Sequence, residues 1–227
     1  MKIEIPEEGL KDNLPAFQRT AAVLRENIIN GNLRAGQPLT ENELTEFCDA
    51  SRNTVREALR FLHAEGLMDY QHNRGVFVRE LAQRDVRDIY KARRHLEVLA
   101  IRSATMISEY HLHHMASHLE IATTAAEADD WRTAATHSLR FHQRIVAMLG
   151  CARFNDFFSV LLAQLRLLFA SGTHEPEFQR PWQTRDRALY DLLHHQRCNE
   201  ACQALTLYLE QSEQQIMCAF TARMNGV

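Results

Sequence analysis

The sequence predicts a mainly α-helical protein in two parts: an N-terminal winged helix-turn-helix and a C-terminal all-helical bundle of about six helices. Three observations predict it. Apolar residues recur at helical spacing through most of the chain from Pro15 onward. One short region has strand character instead: Leu67–Gln71 and Val76–Arg79, joined by His72-Asn73-Arg74-Gly75, read as a β-hairpin with a polar tip. That hairpin directly follows three short helical stretches, the order of a winged head.

Each element has a local reason. Residues 1–13 are polar and charged and read as a loose arm. Phe17, Ala21, Leu24 and Ile28 mark a helix over 15–30, which Gly31 ends. Asn32–Leu39, with Gly36 and Pro38, reads as a loop. Thr40 stands three before Glu43, a capping-box spacing, and opens a helix over 41–48 expected to bury Leu44 and Phe47. Cys48-Asp49-Ala50 is the turn. Ser51 is a good N-cap for the next helix, which runs to Gly66. In that helix Val55, Ala58, Leu59 and Leu62 share a face that can pack. Arg52, Arg56 and Arg60, four apart, fall on another, with Asn53 beside them.

The head is therefore placed at 14–79 and a short connection without Gly or Pro at 80–84. The helical domain fills 85–227, with helices expected near 84–107, 109–128, 130–149, 152–171, 182–196 and 199–223. Ser108 and Asp130 suit caps, and Gly150 and Gly172 suit stops. The stretch 172–181, with Pro176 and Pro181, is the one substantial loop expected. Phe154, Phe157, Phe158, Leu161, Leu165 and Leu168 form an apolar stripe that reads as core or dimer interface.

Bulk charge gives no sign of a nucleic-acid partner: the formal net charge is −3. Placement says more. Between residues 51 and 79, arginines at 52, 56, 60, 74 and 79 outnumber Glu57, Glu65 and Asp69. A local basic face can engage phosphates. Arg can read guanine, and Asn adenine, by paired hydrogen bonds to base edges. No apolar run approaches the roughly 20 residues of a membrane span. The N-terminus lacks a signal-peptide core, and five scattered cysteines suit a reducing compartment. A soluble cytoplasmic protein is expected. No serine-histidine-aspartate order, zinc-protease helix or Gly-rich phosphate loop supports an enzyme.

Several motifs in order resemble the DNA-binding domain of the GntR family of bacterial transcription factors. They are Ile28-Ile29-Asn30-Gly31-Asn32-Leu33, Gly36-Gln37-Pro38-Leu39, Ser51-Arg52-Asn53-Thr54-Val55-Arg56-Glu57-Ala58-Leu59, Glu65-Gly66-Leu67 and Arg74-Gly75-Val76-Phe77-Val78. The helical part resembles the FadR-type effector (FCD) domain through Tyr90-Lys91-Ala92-Arg93-Arg94-His95-Leu96-Glu97 and Phe141-His142. Its helix count suits the VanR-like branch. The resemblance implies a homodimeric regulator, expected to be a repressor, on a near-palindromic double-stranded DNA operator. Arg52, Asn53 and Arg56 would read the major groove, with Ser51, Thr54 and Arg60 on the same helix. Asn42, on the helix before, would touch base or phosphate. His72, Arg74 and Gly75 would reach the minor groove.

Relatives often hold a divalent metal with one Asp and three His. Here those positions read Ser138, His142, Asp186 and Tyr208, so only His142 is kept. Ser and Tyr are poor ligands for zinc or nickel. No cofactor is expected, with His142 and Asp186 the residual metal candidates. The resemblance instead implies a metal-free pocket in which Arg93 and Arg166 clamp a small carboxylate effector, with Ser138, His142, Asp186 and Tyr208 around it. The competing readings are a mutually satisfied polar core in a bundle that only dimerises and, from another class, a metal-dependent enzyme. Two further groups read as ordinary structure. His111, His114 and His118 form a solvated helix face. His194, Cys198 and Cys202 are separated by a turn near Gln196, which breaks any shared metal face.

Overall fold

The computed structural model describes residues 14–169 and 175–224. The expected arm, 1–13, and the expected stop at Gly172 lie outside them. Among the described residues the order is α1 (Ala16–Ile29), β1 (Pro38–Leu39), α2 (Glu41–Cys48), α3 (Arg52–Ala64), β2 (Met68–Gln71), β3 (Gly75–Val78), α4 (Gln83–Ser103), α5 (Glu109–Glu127), α6 (Trp131–Ala147), α7 (Ala152–Phe169), α8 (Glu175–His194) and α9 (Cys198–Met224). The chain forms two compact units. One holds the residues up to Leu81 and the end of α7 from Ala163; the other holds Ala82–Leu162 and the residues of α8 and α9. The sequence gives no hint that α7 is divided between the units.

In the first unit, α1 and α3 pack around Leu24, Ile28, Val55, Leu59 and Leu62, all essentially inaccessible to solvent. Burying one such side chain contributes about 1.5–3 kcal/mol. Phe17 and Phe61 meet edge to face at 5.8 Å, and Arg25 Nη2 reaches both oxygens of Glu65, at 2.7 and 2.6 Å. Thr40 caps α2 as its spacing predicts: Glu43 N–H donates to Thr40 Oγ1, and that hydroxyl donates to Glu43 Oε2. Asp49, in the left-handed region at φ 45°, closes α2. Phe47 is half-buried rather than buried, since Leu44 alone fills the inner face of this short helix.

One element was missed. Part of the predicted 32–39 loop, Pro38–Leu39, is a strand paired antiparallel to β3, giving the sheet order β1-β3-β2. Two residues are too short to show a period, and Pro38 argues locally against a strand. It is accepted because it sits on an edge. The hairpin itself is as expected, with Tyr70 opposite Val76 and Gln71 opposite Gly75.

In the second unit α5 packs along α6 and α4 along α9. Leu112, Met115, Leu119, Leu139, Ile145, Leu205 and Leu209 are buried. Asp130 caps α6 through Thr133 N–H. α4 stops at Ser103, short of the predicted 107. Ile107 instead exchanges two bonds with the Gln196 side chain, at 2.8 and 3.0 Å. Gln196, at φ 59°, makes the turn between α8 and α9, so His194 lies before it and Cys198 and Cys202 after it. The expected loop over 172–181 is helical from Glu175 onward. Pro176 falls in the first turn, where its missing N–H has no helical acceptor. Pro181 forfeits one backbone bond, and burial of Trp182, Leu189 and Leu193 holds the helix through it. No helix among the described residues is long and apolar enough to cross a membrane.

Candidate nucleic-acid interface and effector cluster

The start of α3 is built to stand free. Ser51 Oγ accepts from Thr54 N–H at 3.1 Å, fixing the first turn. Val55, Ala58, Leu59 and Leu62 anchor the opposite face. Ser51, Arg52, Asn53, Arg56 and Arg60 are exposed and Thr54 is half-buried. Asn42 is exposed on α2. Two partners were not foreseen. Arg56 Nε donates to both oxygens of Glu41, at 2.8 and 2.9 Å, and Asn53 Nδ2 donates to Glu57 at 3.2 Å. The hydrogen bond from Arg56 holds the Glu41 carboxyl below its ordinary pKa. Both partners sit at the surface, where solvent screens the Arg56–Glu41 ion pair and water competes for the Asn53–Glu57 hydrogen bond. A phosphate or guanine edge can therefore displace them.

At the wing, His72, Asn73, Arg74 and Gly75 are exposed. Arg74 N–H donates to Gln71 carbonyl oxygen at 3.0 Å to close the turn. The Arg74 guanidinium lies 5.4 Å from the Phe77 ring centre, leaning along the hairpin. Gly75 has φ 92°, a conformation that explains glycine here without any need for a close neighbour.

The second unit holds a buried polar cluster. Arg93 and Glu97 come from α4, Ser138 and His142 from α6, Asp186 from α8 and Tyr208 from α9, and all are buried. Arg93 Nε donates to Glu97 Oε1 at 2.7 Å, and Glu97 Oε2 meets His142 Nδ1 at 2.5 Å. Ser138 Oγ donates to Asp186 Oδ2 at 2.5 Å, and Asp186 Oδ1 lies 3.4 Å from His142 Nε2. The His142 and Tyr208 rings stand 4.9 Å apart. Burial alone would raise the Glu97 carboxyl; the charges of Arg93 and His142 outweigh it and hold its pKa down. Burial would likewise lower the His142 pKa, but Glu97 reverses this and raises it. Burial, then the charge of Asp186, raises the Tyr208 phenol well above its ordinary value, so it stays a neutral hydroxyl.

Five of the six effector residues named from the sequence thus come together. Arg166 belongs, with the end of α7, to the other unit. Glu97 is the residue that sequence reasoning passed over. Its signal was the spacing of four from Arg93, which places both on one helix face. Glu97 already occupies the side of Arg93 on which a carboxylate clamp would rely. The set does not fit a metal. His142 Nε2 and Asp186 Oδ1 face each other, but Glu97 is engaged elsewhere. Among the described residues no three His, Cys, Asp or Glu side chains are arranged so that they could hold a metal ion.

The histidine face of α5 differs from its expectation. His118 is half-buried against α6, its Nδ1 3.1 Å from His137 Nδ1, because α6 packs along that side. Arg144 Nε donates to His118 Nε2 at 3.5 Å. A neutral His118 then carries its proton on Nδ1 and donates to His137. Burial, then the charges of His137 and Arg144, pushes the His118 pKa down to about 3. The unfolded chain takes up this proton near the ordinary value of 6.5, and the folded chain does not. This group's share of stability is therefore complete above about pH 6.5 and lost as pH falls toward 3. We expect about 1 kcal/mol less stability at about pH 5 than at about pH 7 from this group, allowing for solvent screening. Denaturant melts of wild type and His118→Gln check it; equal pH slopes contradict it.

Comparison with known proteins identifies the family. Residues 17–78 match the family described as bacterial regulatory proteins, gntR family, and residues 88–211 match the FCD domain. A Paenarthrobacter nicotinovorans protein, named for repression of a D-xylose utilization operon, is 34% identical over 119 residues, covering 52% of this chain and 53% of that one. The regulator BphR of Paraburkholderia xenovorans (strain LB400) is 30% identical over 159 residues, covering 66% of this chain and 62% of its own. The chain thus spans about half to three-fifths of the length of these curated relatives. A crystal structure of a GntR transcriptional regulator from Rhodococcus sp. RHA1 aligns with TM-score 0.81 at 32% identity, covering 89% of this chain and 98% of that one. E. coli McbR/YncC shares the fold, at TM-score 0.79 and 18% identity. The relatives are named as regulators of transcription, not as enzymes. The chain belongs to the GntR family, with an FCD domain following the N-terminal gntR-family domain in the sequence.

Proposed function

We propose that this chain acts in the cytoplasm as a dimeric transcriptional repressor that binds a near-palindromic operator and responds to a small polar metabolite. The exposed start of α3 carries the first half of this reading. Arg52, Asn53 and Arg56 stand at the helix end that enters the major groove in helix-turn-helix proteins. His72, Arg74 and Gly75 on the wing suit the adjacent minor groove, and Asn42 on α2 suits a phosphate or base. Two heads on a two-fold axis would each take one half-site. Phe154 and Phe157, three apart on α7 and both exposed, support a dimer surface on the helical unit. Relatives named as repressors of a D-xylose utilization operon and of a gluconate operon support repression.

The buried cluster of α4, α6, α8 and α9 is the effector site in this reading. A ligand there must prefer one arrangement of the heads over another. A coupling of about 1–3 kcal/mol would change operator affinity about 5–150-fold. The test of DNA binding is a gel-shift titration with a duplex selected from random-sequence DNA by the protein itself. Binding through phosphates should weaken about 10³–10⁵-fold between roughly 50 and 200 mM salt. A flat response to salt contradicts the reading.

A further inference from the structure

We infer that the buried cluster takes a neutral polyhydroxylated ligand, of the sugar or sugar-alcohol class, rather than a carboxylate. This rests on the reading that the cluster is an effector site. In this unit Arg93 Nη2, Gln179 Nε2 and Trp182 Nε1 are buried without a hydrogen-bond partner, and His142 Nε2 and Asp186 Oδ1 face each other at 3.4 Å. Leaving such an atom unsatisfied forfeits its hydration without return, and native interiors seldom tolerate several together. Gln179, Trp182 and Asp186 are spaced by three and four along α8 and so share one stripe. Asp186 joins that stripe to His142, and through Glu97 to Arg93.

The chemistry of these atoms selects the ligand. Arg93 Nη2, Gln179 Nε2 and Trp182 Nε1 can only donate, so each asks for an acceptor oxygen. A hydroxyl and a carboxylate both supply one. Charge separates the two. The two cations, Arg93 and protonated His142, are already balanced by Glu97 and Asp186. A buried carboxylate would add a negative charge with no counter-ion, and a neutral His142 would make that excess larger. Beside these groups the Trp182 and Tyr208 rings stand 4.7 Å apart. Amphipathic aromatic rings next to fixed donors and acceptors suit the alternating C–H and O–H faces of a sugar.

The test uses matched pairs that differ by one carboxylate: D-xylose with D-xylonate, and D-glucose with D-gluconate, plus xylitol. Each is added to the full-length protein in the presence of EDTA. Melting temperature and release of the selected duplex are both read. A neutral member should raise the melting temperature, by about 5–10 °C at a hundredfold excess over its dissociation constant, and its acid should not. Trp182→Phe, which keeps the ring and loses the N–H, should weaken that binding about 2–10-fold. Glu97→Gln, which removes one negative charge, should let the acid member gain relative to the neutral one. An acid that stabilises the wild type and releases DNA overturns the polyol assignment and keeps the effector reading. If neither class shifts the melt while DNA binding persists, the polyol assignment is overturned, and the effector reading fails with it for these ligand classes. The orphaned atoms are then met by water.

Discussion

Replacing Glu97 with alanine should destabilise the helical unit by about 3–5 kcal/mol, the scale of breaking a buried ion pair from one side. Glu97 is fully buried and its two oxygens serve two different cations, Arg93 Nε at 2.7 Å and His142 Nδ1 at 2.5 Å. Alanine removes both acceptors at once. The guanidinium of Arg93 cannot shed its charge, so it stays buried and uncompensated. His142 can respond by losing its proton, because the carboxylate that raised its pKa is gone. The melting temperature should fall on the order of 10 °C. Glu97→Gln keeps one acceptor oxygen and should cost less. Arg93→Met with Glu97→Leu removes both charges together and should cost less than Glu97→Ala alone. The sign with pH follows from the lowered carboxyl. Its contribution is present above the ordinary value of about 4.5 and lost as pH falls through the depressed folded value, so the wild-type advantage narrows in acid. A neutral outcome for Glu97→Ala in denaturant melts contradicts the network.

What the sequence made legible follows from how local each cause is. The capping pair Thr40 and Glu43, the cap at Ser51 and the apolar face of α3 are decided within a few residues, and each appears as read. The strand at Pro38–Leu39 was not legible because it exists only through β3, far along the chain. The early start of α8 was hidden by Pro176 and Pro181, which argue locally for a loop and are overridden by burial of Trp182, Leu189 and Leu193. His118 was read as solvated because one helix cannot announce that a second one covers it. The buried polar cluster was legible in five of its residues and not in its pairing. Arg93 suggested an anion from outside, while the anion it holds, Glu97, stands one turn away on the same helix.

The second large effect concerns α3. Arg52 and Arg56 are exposed, one turn apart at the capped end of a helix fixed by its apolar back. Bidentate contacts from such residues to base edges are worth about 1–3 kcal/mol each. Arg56 is held by Glu41 in the free protein, but that pair is exposed and easily exchanged. Its loss on binding subtracts little from the gain. Neither arginine packs in the core, so alanine at both should leave the fold intact. The stability of the double variant, checked by melting, separates loss of contact from loss of structure. The most direct test is therefore a binding titration of the selected duplex by wild type and by Arg52→Ala/Arg56→Ala at one fixed salt concentration. Base reading by these two arginines predicts a loss of about 2–6 kcal/mol in specific binding with an unchanged melting temperature. Unchanged affinity in a folded double variant would contradict it.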